Sequence, residues 1–166
     1  MAAKQKTLDD LFYETLKDIY FAEKTLVKSL PRMAKAAESD ELREAFEAHL
    51  AETEGQVERL EEIFGLIDKP ARAKTCAAIK GITEEAKEVM KEFKGTNALD
   101  AGLLSAAQAV EHYEISRYGT LKAWARQLGH DKVARLLDAT LQEEKGADRT
   151  LTQIAESAIN AQAEAA

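Results

Sequence analysis

Residues 8–30 read LDDLFYETLKDIYFAEKTLVKSL, and their apolar side chains recur every three to four positions. This spacing puts them on one face of an α-helix, whereas a half-buried strand would alternate at every second residue. The pattern continues to Ala37 without a glycine. The stretch therefore predicts a long amphipathic helix with one face in a hydrophobic core.

The same periodicity predicts three more long helices and one shorter helix. We place the long helices at about residues 39–64, 98–128 and 132–159, and the shorter one at about 75–93. Short connections make 8–65 and 98–159 two antiparallel hairpins. The intervening residues 66–97 can return along the whole bundle, so the second and third long helices are expected to run parallel.

These features predict an all-α, ferritin-like four-helix bundle with a short fifth helix in its crossover, in one domain over residues 1–166. A sequence repeat accompanies this architecture. Residues 8–65 align without a gap on residues 99–156, and Asp9 matches Asp100 while Glu23 matches Glu114. We interpret the two hairpins as a duplication.

Composition and charge narrow the function. The net charge of −7 would repel a nucleic-acid backbone. No apolar run approaches the ~20 residues that cross a bilayer, and the N-terminus lacks the apolar segment of a secretion signal. The single cysteine, Cys76, fits a reducing compartment. We expect a cytoplasmic protein that binds neither nucleic acid nor membranes.

Several polar residues lie on the faces that should be buried. Helical phase places four of them at the centre of the inner faces: Glu23, Gln56, Glu114 and Glu144. Three more lie beside them as additional candidates: His49, Glu111 and Asp148. Buried carboxylates need shared protons, basic partners or a cation. Carboxylate, amide and imidazole groups suit iron, manganese or zinc, so a metal site is one hypothesis among these three.

Four segments carry a family resemblance. They are AEKTLVKSLPRM (22–33), HLAETEGQVERLEEIF (49–64), AAQAVEHYEISRYGTL (106–121) and LLDATLQEEKGADRTL (136–151). Together they resemble the YciF/YciE family of bacterial ferritin-like stress proteins, over about residues 8–156. The resemblance implies a homodimer structurally akin to rubrerythrin and a stress-associated role. It leaves open whether an iron or manganese site persists or is vestigial in a non-catalytic structural protein.

Ferritin-like di-iron proteins use one Glu from each of two helices and a Glu-x-x-His motif from each of the other two. Carried over by core phase, Glu23 and Glu114 fill the single-Glu positions. The other two positions hold TEGQ at 53–56 and EKGA at 144–147, so both histidines are missing. A second register uses Glu52 and Glu143 instead, about 100° away from the core centre. Ferroxidase-like activity is therefore an open question.

The short fifth helix is not needed to complete a four-helix core. Its apolar residues must nevertheless be covered: Ile79, Ile82, Val89, Met90 and Phe93. We therefore expect a two-fold dimer with this helix at or near the interface.

Overall fold

The computed structural model describes residues 5–165, so the first four residues and Ala166 of the predicted domain lie outside the described range. The regular structure within that range is helical. Its main helices are α1 (Leu8–Ala36), α2 (Asp40–Leu66), α3 (Ala77–Glu92), α4 (Leu99–Gln127) and α5 (Asp131–Ile154). After α5 the chain continues through one π-helical turn, Ala155–Ile159, into the short α6, Asn160–Glu164. The last helical segment thus extends beyond its predicted end at Ile159.

Side chains cap the two helices of the first hairpin. The Thr7 hydroxyl accepts a hydrogen bond from the Asp10 amide (3.3 Å), and the Asp10 carboxylate accepts one from the Thr7 amide (2.9 Å). This reciprocal arrangement is a capping box. Ser39 caps α2 by accepting from the amide of Leu42 at 3.3 Å. In the second hairpin, Gly129 has φ +78° and makes the turn between α4 and α5.

Contacts at both ends of the bundle fix the direction of α4 relative to α1. Phe12, near the start of α1, stacks on His130, just after α4, with ring centroids 6.3 Å apart. At the opposite end Asp100, near the start of α4, accepts hydrogen bonds from the amides of Glu38 and Ser39. Helices α1 and α4 are therefore antiparallel. Since α1 and α2 form a hairpin, α2 and α4 run parallel, and the predicted ferritin-like bundle with one long crossover is confirmed.

Helix α3 lies in the crossover and packs against α4 and α1 of its own chain. A Cβ atom at Gly102 of α4 would lie 2.5 Å from Val89 Cγ1, so glycine is what permits this close approach. Ile79 is fully buried, whereas Phe93 remains 42% exposed. Helices α1 and α4 of the same chain thus cover much of the apolar face of α3. The need to cover this face was the reason for predicting a dimer. The homodimer itself stays a prediction.

The Asp100 carboxylate fastens the second hairpin to the turn of the first. It is 7% exposed and accepts from the amides of Glu38 at 2.9 Å and Ser39 at 2.7 Å. We expect Asp100→Ala to lower the free energy of unfolding by about 1–3 kcal/mol, because two amides lose a charged acceptor. Chemical denaturation measures this loss. Asp9→Ala is the matched control, because Asp9 is the repeat counterpart at the same helical position and is exposed. Equal losses in both variants would contradict the assigned role.

None of the helices in residues 5–165 is long and apolar enough to span a membrane.

Candidate metal centre

A polar layer interrupts the apolar core about midway along the bundle. Each of the four long helices contributes one of the predicted inner residues, and all four are fully buried: Glu23, Gln56, Glu114 and Glu144. The apolar stripe on each helix forces this placement, because burying the stripe also buries whatever polar residue shares its phase. The structure therefore brings these side chains into the interior, as helical phase predicts.

A tighter group forms around two residues that the sequence marks only as additional candidates. His49, Glu111, Glu114 and Glu144 each offer one ligand atom, and these atoms all lie within 4.8 Å of one another. His49 is 7% exposed and Glu111 is 1% exposed. His49 Nε2 lies 3.1 Å from Glu111 Oε1, yet neither ring nitrogen makes an aligned hydrogen bond. This contact is an ion pair when His49 is protonated, and the same two atoms lie close enough to bind one cation together.

Glu23 adjoins this group from α1. Its carboxylate accepts a short hydrogen bond from the hydroxyl of Tyr118, which is fully buried on α4. Besides burial, the charge of Glu23 raises the pKa of Glu114 and the charge of Glu111 raises that of Glu144, so the carboxyl groups of each pair lie close together. When all four are ionised they have only acceptors, so these contacts become hydrogen bonds only if a proton is shared. A cation placed among them would serve the same purpose.

The unpaired buried atoms are the observation that tests whether a metal fits. Those within this group are both oxygens of Glu114 and of Glu144, one oxygen each of Glu23 and Glu111, and both ring nitrogens of His49. Buried polar groups are nearly always hydrogen-bonded, so this concentration is unusual. Metal–ligand bonds of about 2.0–2.4 Å put opposite ligands about 4–4.8 Å apart. The spacing and chemistry of these donors fit a cation.

Burial and mutual repulsion shift the acidity of the whole group. Burial, aided by the charge of Glu144, raises the pKa of Glu23 to about 8. Burial likewise raises the pKa of Glu111 to about 8. The pKa values of Glu114 and Glu144 lie well above their usual range, chiefly because of burial. Without a cation, burial and mutual repulsion therefore favour the protonated forms of these carboxyl groups.

Burial and the neighbouring charges shift the pKa of His49 in opposite directions. Burial lowers the pKa of His49, but nearby carboxylates outweigh that effect and raise it. The exposed carboxylate of Glu52 is one of them, 3.7 Å from Nδ1, which is a charge contact rather than a hydrogen bond. The imidazole thus lies between an exposed carboxylate and the buried cluster.

The two registers left open by the sequence place their α5 glutamates, Glu143 and Glu144, in different surroundings. Glu144 is fully buried, whereas the side chain of Glu143 is 30% exposed and forms a bidentate ion pair with Arg59 at 2.7 and 2.8 Å. The amide of Gln56 donates a further hydrogen bond to Glu143 at 3.1 Å. These hydrogen bonds outweigh partial burial and hold the pKa of Glu143 below its usual range. Glu143 is therefore an ion-pair residue, whereas Glu144 is one of the clustered donors.

The remaining candidate, Asp148, is not brought into the cluster. Its carboxylate contacts the amide of Gln108 at 3.2 Å and the exposed His112 at 3.2 Å. On α2, Thr53 occupies the position that corresponds to Glu144. Its hydroxyl donates to the His49 carbonyl at 2.8 Å, so the motif glutamate has been replaced by a locally satisfied residue. The imidazole of the cluster comes instead from the preceding turn, at His49.

An all-α bundle with buried carboxylates and an imidazole between its four long helices defines a ferritin-like protein with a candidate metal centre. The chain belongs to the family described as "Domain of unknown function (DUF892)", which matches residues 7–164. It is 44% identical to the protein YciF of Escherichia coli strain K12 over 163 residues, covering 96% of each chain. The resemblance to the YciF/YciE family is thereby confirmed.

Solved structures agree with this assignment. The E. coli stress protein YciF superposes with a TM-score of 0.90 at 43% identity, over 94% of this chain and 99% of that one. YcfI from Rhodopseudomonas palustris gives a TM-score of 0.87 at 42% identity, over 92% of this chain and 97% of that one. A Xanthomonas campestris protein shares the fold at 23% identity, with a TM-score of 0.74 and coverage of 95% and 96%.

Proposed function

We propose that this protein is a stress-associated, ferritin-like metal-binding protein that holds iron or manganese between its helices. His49, Glu111, Glu114 and Glu144 would be the ligands. Glu23 would border the ion from α1, and Tyr118 would hold the carboxylate of Glu23 in place. The single observation that carries the proposal is the set of buried donor atoms without hydrogen-bond partners.

Electrostatics supports a cation over a salt-bridged interior. Lone buried carboxylates are unfavourable, and a basic side chain is the usual remedy. The charge of the buried His49 lowers the pKa values of Glu23 and Glu144, but one imidazole cannot neutralise four carboxylates. The basic side chain of Arg59, on the adjoining face of α2, already forms an ion pair with Glu143. The cluster therefore needs either protons or a metal ion for neutrality.

The donor set also indicates which ions fit. Hard carboxylate oxygens with one imidazole suit iron, manganese or zinc. When bound, iron or manganese would supply one-electron and oxygen chemistry. This chain's own residues would hold the ion, exclude bulk water and keep the Glu23 carboxylate oriented through Tyr118. The set lacks the two Glu-x-x-His histidines, so ferroxidase activity is not part of the proposal.

Metal analysis of protein purified without a histidine tag tests the proposal. We expect Mn(II), or Fe(II) under anaerobic conditions, to bind with a defined, saturable stoichiometry in equilibrium dialysis. At a hundredfold excess over Kd, binding should stabilise the fold by about 2.7 kcal/mol. For a chain of this size that corresponds to a rise in Tm of roughly 5–10 °C. Absence of saturable binding and of any rise in Tm for both metals would refute the proposal.

A second candidate function is a non-catalytic, dimeric structural protein of the stress response with a vestigial site. The raised pKa values of Glu23 and Glu111, each about 8, favour it, because protonated carboxyl groups are neutral without any ion. The same dialysis experiment separates the two candidates, since a vestigial cluster retains protons and takes up no metal.

A further inference from the structure

A cavity of about 410 Å³ opens between α2, α4 and α5 beside the cluster. His49 and Glu111, two of the four clustered donors, line it and are themselves buried. Glu52, whose side chain is 48% exposed, lines the same cavity nearer the solvent. The other two donors, Glu114 and Glu144, are not part of its wall. The cavity thus joins the protein surface to one side of the buried cluster.

The polar atoms along this wall form a continuous series. Glu52 Oε2 lies 3.7 Å from His49 Nδ1, and His49 Nε2 lies 3.1 Å from Glu111 Oε1. Neither nitrogen of His49 has an aligned hydrogen-bond partner, and neither does Glu111 Oε2. The imidazole therefore presents one nitrogen to an exposed carboxylate and the other to the cluster. Steps of this length suit the stepwise exchange of water molecules for protein ligands around an ion.

We propose that this cavity is the access path by which a hydrated divalent cation reaches the buried cluster. Glu52 receives the ion near the surface, and His49 and Glu111 take it over at the inner end. The inference rests on the proposed function, because a path needs a site at its end. It goes further by assigning Glu52, which is not among the proposed ligands, to the kinetics of loading.

Charge and space along the path agree with this role. Two charged residues of α5 also line it, but Glu143 is neutralised by Arg59 and Arg149 carries the opposite sign. Glu52 is thus the carboxylate that can attract a cation at the surface. Small side chains, including Ala147 of α5, line much of the remaining wall beside the larger Phe46 and Leu151, and the cavity volume of about 410 Å³ leaves room for a hydrated ion.

The first test changes charge alone. Co(II), whose visible absorption changes on binding, serves as the probe in stopped-flow mixing with metal-free protein at low ionic strength. We expect Glu52→Gln to slow binding about threefold and Arg149→Gln to speed it by a similar factor, as expected for single charges near a focused path. Glu54→Gln removes the same charge from an exposed position on α2 that does not line the cavity. Its rate should match wild type, and all differences should shrink in high salt.

The second test blocks the path. We expect Ala147→Phe to slow Co(II) binding about tenfold or more while the final stoichiometry stays unchanged, since Ala147 is no ligand. Ala139→Phe, two turns earlier on α5 and exposed, is the matched control. Ala147→Leu provides a milder block should the phenylalanine variant fail to fold in circular dichroism.

The outcomes separate this inference from the proposed function. Wild type that binds no Co(II), Mn(II) or Fe(II) at equilibrium overturns both. Wild type that binds normally, with Glu52→Gln and the blocked variants loading as fast as their controls, overturns only the access path. Loss of equilibrium binding in a folded Ala147 variant also overturns it, because the cavity would then be part of the binding site.

Discussion

Replacing Glu114 with glutamine should abolish the metal-induced rise in Tm while leaving the metal-free protein as stable as wild type or more so. Glu114 is fully buried, and neither carboxylate oxygen has a hydrogen-bond partner. Its pKa is raised by burial and then by repulsion from Glu23, Glu144 and Glu111. Glutamine has nearly the same volume as glutamate, but its side chain cannot ionise. The ion therefore loses a charged ligand, whereas the metal-free cluster needs one proton fewer to stay neutral.

The measurement is thermal unfolding of both proteins in chelator and in excess Mn(II). We expect the wild-type rise of roughly 5–10 °C, which follows from mass action at a hundredfold excess over Kd, to fall to near zero in Glu114→Gln. Glu54→Gln, an exposed change on α2, controls for the altered net charge and should keep the full rise. A variant that retains the wild-type rise would remove Glu114 from the ligand set. A marked loss of stability of Glu114→Gln in chelator would show instead that the Glu114 side chain stabilises the metal-free core.

The fold follows from the sequence because its main determinants are local. Apolar residues at helical spacing define each long helix, and the lengths of the connections define the hairpins and the crossover. The end of the last helix was less predictable. Residues 160–164 carry no strong apolar pattern, yet they continue as α6 after a π-helical turn. Their placement depends on the preceding helix rather than on a signal of their own.

The candidate site was predictable only in part. Helical phase alone places Glu23, Glu114 and Glu144 inside, since one face of each helix is apolar. Phase cannot show which buried donors approach one another, because that depends on rotamers and on the spacing of the helices. His49 and Glu111 therefore appeared as additional candidates, although the structure places both in the tight group.

The Arg59–Glu143 ion pair beside the site shows a second limit of prediction from sequence. Arg59 lies at the edge of the inner face of α2, and its bidentate contact with Glu143 joins α2 to α5 across residues far apart in sequence. No local pattern specifies such a partner. Yet this pair is what removes Glu143 from the candidate ligands and leaves Glu144 in the cluster. Helical phase alone favours Glu144, but the ion-pair partner of Glu143 could be identified only from tertiary contacts.

The metal-free protein should lose stability as the pH rises from 5.5 to 8.5, which is unusual for an acidic protein. The pKa values of Glu23 and Glu111 are each about 8 in the folded chain, against an ordinary value of 4.5. Between these values the folded state binds more protons than the unfolded state, so the free energy of unfolding falls with increasing pH. Each group's contribution is fully present below pH 4.5 and is lost as pH passes 8. His49, whose pKa is also raised, acts in the same direction.

Bound metal should oppose this loss of stability with rising pH. The ion competes with protons for the carboxyl groups, so its apparent affinity for the cluster grows as those groups lose their protons. The Tm increment caused by Mn(II) should therefore widen across the same pH range. Melting curves in chelator and in Mn(II), taken at intervals from pH 5.5 to 8.5, measure both trends. Glu111→Gln should flatten the metal-free slope, since it removes one of the shifted carboxyl groups, whereas the exposed Glu54→Gln should leave it unchanged. A metal-free Tm that stays constant or rises with pH would show that these carboxyl groups are already neutralised by partners other than protons.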